Sequence, residues 1–162
     1  MPNHPCIPSA RAASAALLAL CLLAPAWPAD QPVPPGTDKL ATVRASLAKH
    51  EWDDAIRELR NINDVSSADW NNLMGYSLRK SGSPDFAASE RYYNIALRID
   101  PQHRGALEYS GELYLMTGNL PKAEERMAAL EALCVLPCAE RLTLRDSIER
   151  YKAAGNRYES DY

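Results

Sequence analysis

The sequence contains no run of basic residues, no Gly-x-Gly-x-x-Gly and no Gly-Lys-Ser/Thr element. A phosphate backbone is held by clustered Lys and Arg, so nucleic-acid binding is not expected, and no loop of the kind that cradles nucleotide phosphates is present. Beyond residue 37, alternation of period two never lasts more than a few residues, which argues against a β-sheet domain. Histidine is scarce: the 3 in the chain leave few groups for acid-base or metal chemistry. What is present is 46% apolar and 24% charged residues, with 18 Lys+Arg against 21 Asp+Glu for a formal charge of −3 over 162 positions. That balance excludes collagen, wholesale disorder and a multi-span membrane protein, and fits a single soluble domain.

Proline and cysteine are unevenly spread. Eight of the 12 prolines and two of the 4 cysteines, Cys6 and Cys21, fall in the first 35 residues, where Arg11 is the only Lys or Arg. Behind Arg11 the chain reads AASAALLALCLLAPA, an uncharged apolar stretch ending in Ala24-Pro25-Ala26. This is the pattern of a secretory signal, with residues 1–26 removed after Ala26. A spanning helix needs about 20 apolar residues, and Pro25 and Pro28 interrupt the run too early, so no membrane span is expected in the mature chain. A lipid anchor on Cys21 is disfavoured because Leu20 precedes it where a small residue is wanted. Loss of Arg11 leaves 17 basic against 21 acidic residues, a formal charge of −4. Residues 27–36 (WPADQPVPPG) are too rich in proline for a helix and read as a lead-in.

From residue 37 onward apolar residues recur at three and four spacing, which predicts an all-α domain. Trp52, Phe86 and Leu120 are spaced by 34, and so are Ala55, Ser89 and Ala123; Leu59, Tyr93 and Met127; and Ile62, Ala96 and Leu130. Within each copy these columns step by +3, +4 and +3, so all four share one helix face. The preceding helix repeats too, with Gly75 and Gly111, Leu78 and Tyr114, and Gly82 and Gly118 spaced by 36, the two extra residues lying at Ser83-Pro84. Pro84 and Pro121 suit the first turn of the helices that follow.

This pattern resembles the tetratricopeptide repeat, a helix-turn-helix unit of 34 residues. The middle copy matches best, through Asn72-Leu73-Met74-Gly75-Tyr76-Ser77-Leu78, then Phe86, Ser89, Tyr93, Ala96-Leu97 and Ile99-Asp100-Pro101. The third copy keeps Gly111, Tyr114, Gly118 and Ala123 but has Met127 and Leu130 where an aromatic and a small residue are usual. The first is partial, with His50 in the place of the turn glycine. The resemblance implies a right-handed superhelix of three helix-turn-helix repeats plus a C-terminal capping helix: repeat 1 at 37–66 (partial), repeat 2 at 67–103, repeat 3 at 104–137, cap at 138–155 and a polar tail at 156–162. Gly75, Gly111 and the Ala55/Ser89/Ala123 column are expected where the two helices of a repeat cross closely. In the cap, Leu144, Ile148 and Tyr151 share one face, and Gly155 ends the helix.

Catalytic chemistry finds little support, and neither a catalytic residue nor a cofactor is assigned. His50 and His103 both fall in inter-helix turns and read as solvated, with no serine or cysteine nucleophile paired to either. Asp53/Asp54 and Glu124/Glu125 sit at helix starts, where they favourably meet the helix dipole. The distinctive pair is Cys134 and Cys138, four apart with Pro137 between them. In an oxidising compartment a disulfide pinning the cap is the favoured reading, with a redox-active pair or a soft-metal site as alternatives. Some exported bacterial repeat proteins look similar here.

Stacks of this kind bind through the concave side lined by their first helices. The resemblance places Arg44, Asn72, Tyr76, Arg79, Lys80, Glu108, Tyr109 and Glu112 there as side chains not used in packing. Mixed charge and two tyrosines suit a protein or peptide partner. A clamp for a chain-terminal carboxylate is not expected, because Glu108 and Glu112 oppose it. The expected function is a non-enzymatic adaptor of the bacterial periplasm; the rival is a thiol-dependent protein that handles copper or exchanges disulfides through Cys134 and Cys138.

Overall fold

The three-and-four apolar spacing becomes seven α-helices among residues 38–158, the part of the chain that the computed structural model describes. They are α1 (Ala41–Ala48), α2 (Trp52–Ile62), α3 (Ala68–Lys80), α4 (Phe86–Ile99), α5 (Arg104–Met116), α6 (Leu120–Leu133) and α7 (Ala139–Ala153). No strand occurs among the described residues, and the domain is an all-α helical repeat. The signal and lead-in assigned to 1–36, and the last four tail residues, lie outside the described residues. Each helix packs on its successor up to α6, α7 packs on both α5 and α6, and α3 also reaches α5.

The turns define where helices begin. Ser67, Asp85, His103 and Asn119 each accept the backbone N–H three residues on, at the starts of α3, α4, α5 and α6. Such caps satisfy amides that the first helical turn leaves unpaired. Pro121 stands in the first turn of α6, whereas Pro84 precedes the Asp85 cap and lies outside α4. Gly118 (φ 76°) turns the chain out of α5, and His50 (φ 62°) takes the same left-handed conformation after α1, so the histidine does perform the turn glycine's task. Gly82 does not. The two added residues at Ser83-Pro84 let Asp85 N–H reach back to Leu78 C=O without a left-handed residue at that turn.

Two apolar cores result. One gathers Leu40, Val43, Ala55, Ile56, Leu59, Trp70, Leu73 and Met74 from α1 to α3. The other gathers Leu107, Tyr114, Leu115, Ala123, Leu130, Leu144, Ile148 and Tyr151 from α5 to α7. The Ala55, Ser89 and Ala123 column is fully buried, as its spacing implied. Gly75 meets the Tyr93 ring and Ser89 backbone of α4, its own repeat partner, but Gly111 meets Leu144 of α7. Its close crossing is therefore with the capping helix, a correction to the sequence reading that follows from α7 packing directly on α5.

Cys134 ends α6 and Cys138 precedes α7, and the two form a disulfide with Cα atoms 5.9 Å apart. The bond closes a non-helical turn in which Val135 and Leu136 are exposed. Arg141 donates to the Cys134 carbonyl across it.

Candidate binding face on α3 and α5

Between the two apolar cores runs a seam of buried polar groups from α3, α4 and α5. Ser77, Ser89, Ser110, Tyr93 and Arg79 are all 2% exposed or less. The three serines satisfy themselves by donating to carbonyls three or four residues back in their own helices or cap. Small hydroxyls there let the helices approach while leaving no stranded donor. Arg79, by contrast, depends on a residue 33 positions away. Its Nη2 lies 2.7 Å from Glu112 Oε2, and its Nη1 contacts Met116 Sδ.

Three contacts at one spacing tie α3 to α5. The Asn72 amide lies against Gly105, the Tyr76 and Tyr109 ring centroids are 4.6 Å apart, and Arg79 pairs with Glu112. Gly105 matters here, since a Cβ would come 3.1 Å from Asn72 Nδ2. The Arg79 guanidinium is 5.5 Å from the Tyr76 ring centroid and 5.7 Å from that of Tyr109. Cation–π attraction at this range strengthens when the cation is desolvated. Trp52 of α2 extends the row edge-on to Tyr76 at 5.9 Å, and His50 stacks on Trp52.

Electrostatics on this face are unbalanced. Burial opposes the Arg79 charge, but Tyr93 and Glu112 outweigh it and hold the guanidinium firmly protonated. Burial, then Glu112 and Glu140, push the Glu108 carboxyl up from its ordinary 4.5 to about 8 despite Arg79. Burial, then Glu108, raise the Tyr109 hydroxyl to about 12. Tyr93 is also raised by burial, and its hydroxyl, Arg79 Nε and Asn72 Oδ1 are sealed with no hydrogen-bond partner among the described residues.

The sequence expectation of eight projecting side chains needs correction. Asn72, Arg79 and Glu108 are buried, at 6%, 2% and 9% exposure, because α3 and α5 close on one another through the 33-residue contacts. Tyr76, Tyr109 and Glu112 are half-buried on the same face, and Lys80 is half-buried and engaged. Arg44 is exposed and reaches Asp38 and Asp69 rather than the ring row. His103 sits in the expected turn but is not solvated; Nδ1 caps α5 and Nε2 is 2.9 Å from Asp69. Trp52 and Tyr93 entered the sequence reading only as members of the 34-residue columns. The recurrence of 72/105, 76/109 and 79/112 at one interval was the signal that could have joined them into a face.

No protein-family model matches the chain, and no curated protein matches it significantly.

Proposed function

We propose that the chain is an exported repeat protein of the tetratricopeptide type that works as a non-enzymatic adaptor in the bacterial periplasm, binding a protein partner on the α3/α5 face. The observation that carries this reading is the half-buried Tyr76–Tyr109 pair, braced from behind by Arg79 and Glu112. Rings fixed in place offer contact area with little ordering cost, a common property of binding hot spots. Seven helices among the described residues, with 34-residue columns, support the repeat assignment, and the apolar run ending at Ala26 supports export. With both sulfurs of Cys134 and Cys138 in their bond, neither is a thiolate free to hold copper, whereas a disulfide-exchange protein carries the same bond in its oxidised form and remains the rival reading.

A photo-crosslinking residue placed at position 76 tests the face, with position 95 on the outer side of α4 as control. Crosslinking in native cells should join a defined protein to position 76 and not to position 95. Equal yields from both positions, or none from 76, would overturn the assignment. Intact mass of the purified envelope protein tests export, and a retained Met1 would contradict it.

A further inference from the structure

Carboxylates outnumber cations at the heart of the α3/α5 face. Glu112 of α5 and Glu140 at the start of α7 both act on Glu108, which also feels Arg79 of α3. Arg79 is committed to Glu112 at 2.7 Å, and Arg104 lies 3.7 Å from Glu140. Glu108 is left with no ion-pair or hydrogen-bond partner of its own among the described residues, though it is only 9% exposed. Burial without a partner favours the neutral form of this carboxyl, and a cation that reaches it would favour loss of the proton and pair with the carboxylate.

A second observation points the same way. Asn72 is 6% exposed, yet its Oδ1 accepts no hydrogen bond. Its amide nitrogen packs on Gly105, one turn before Glu108, so α3 brings a second buried, incompletely paired polar side chain to the same stretch of α5. Arg79 itself is already committed: it uses Nη1 on Met116 and Nη2 on Glu112, and its Nε is closed off. An anionic ligand would find the Arg79 guanidinium already engaged by Glu112. A cation would meet the unpartnered Glu108 carboxyl and a half-buried ring pair able to take part in cation–π contact.

We propose that this face recognises a cationic side chain of its partner, the ammonium of a lysine or the guanidinium of an arginine, seated on the Glu108 carboxylate beside Tyr109. The inference rests on the binding function assigned to the same face, and names the chemistry of what that face accepts.

Short random peptides displayed on phage and selected on the purified chain provide the probe. Selected peptides should carry a Lys or Arg whose replacement by Gln raises Kd about tenfold or more. Against E108Q, which removes the charge and keeps the shape, the same peptide replacement should change Kd less than about twofold, the mark of a direct pair. Peptides that need Tyr76, shown by loss of binding to Y76A, but tolerate Lys or Arg→Gln would overturn the cation and leave the binding function standing. An equal effect of the replacement on wild type and E108Q would also overturn it. Failure to select any Tyr76-dependent peptide would overturn both readings. Should E108Q not fold, the same comparison is made with E108A.

Discussion

Gly111 of α5 and Leu144 of α7 meet with no space between them: a Cβ built on Gly111 lies 2.6 Å from Leu144 Cδ2 and 3.2 Å from its Cγ. Leu144 is fully buried, so it has no free volume into which to retreat. Gly111→Ala should therefore cost about 1–3 kcal/mol in urea unfolding. Gly75→Ala should cost at least as much, because the Tyr93 ring at 2.8 Å is rigid and the Ser89 carbonyl stands behind it at 3.1 Å. Gly82 faces nothing within 4 Å, and its alanine variant should stay within about 0.5 kcal/mol of wild type.

Ala55 and Ala123 are fully buried in the two apolar cores. Replacing either with Leu adds volume where α2 or α6 is already in contact, and should destabilise by about 1–3 kcal/mol. Changes at exposed Ser83 should do little. Equal melting temperatures for the two kinds of variant would place the repeat columns wrongly.

The Arg79–Glu112 pair is a buried charge held by one partner of opposite sign. Glu112→Gln leaves the guanidinium in place without its counterion, and breaking such a pair costs about 3–5 kcal/mol. The effect should fall near the low end, since the Glu112 side chain is still 17% exposed. Arg79→Lys should also destabilise, because an ammonium cannot lie flat against both tyrosine rings. Unchanged melting in both variants would mean that the pair is idle.

The Cys134–Cys138 ring spans only four positions, so it restricts the unfolded chain little and its contribution should sit at the low end of about 0–3 kcal/mol. The double Cys→Ser variant should stay helical and melt a few degrees lower. Hydrogen exchange should rise in α7 more than in α3. Loss of the whole fold would assign the bond a larger role than a local pin.

Helices and their pairing were legible because they are written in spacing: 34-residue columns and a three-and-four apolar rhythm need no tertiary knowledge. Tyr76 and Tyr109 were legible for the same reason, as residues on the outward side of first helices. The burial of Arg79 was not. A lone arginine near a helix end reads as solvated, and its burial exists only because Glu112, Tyr76 and Tyr109 converge on it from two helices. His103 was likewise misread as solvated, since its capping of α5 requires the turn geometry and its Asp69 contact requires α3 alongside. Gly111 looked like a contact within its repeat, and only the placement of α7 shows otherwise.

Glu108 connects the fold to pH. In the unfolded chain its carboxyl titrates near 4.5, and in the folded chain burial, Glu112 and Glu140 raise it to about 8. Between those values the folded protein keeps a proton that the unfolded chain has released, so stability must fall as pH rises through this window. The stabilising share of this group is complete below about 4.5 and is lost as pH passes through about 8. Gln at position 108 has no such proton and makes no such contribution to the slope. Asp38 and Glu90, whose carboxyls are lowered, mainly by the Leu40 amide and by Lys122, work in the opposite direction at lower pH. They are common to both proteins and cancel in the comparison. The melting temperature of E108Q relative to wild type should therefore rise steadily from pH 5 to pH 9. A difference that stays flat across that range would mean that Glu108 is as solvated as an ordinary surface carboxylate, and would remove the electrostatic basis for cation recognition at this face.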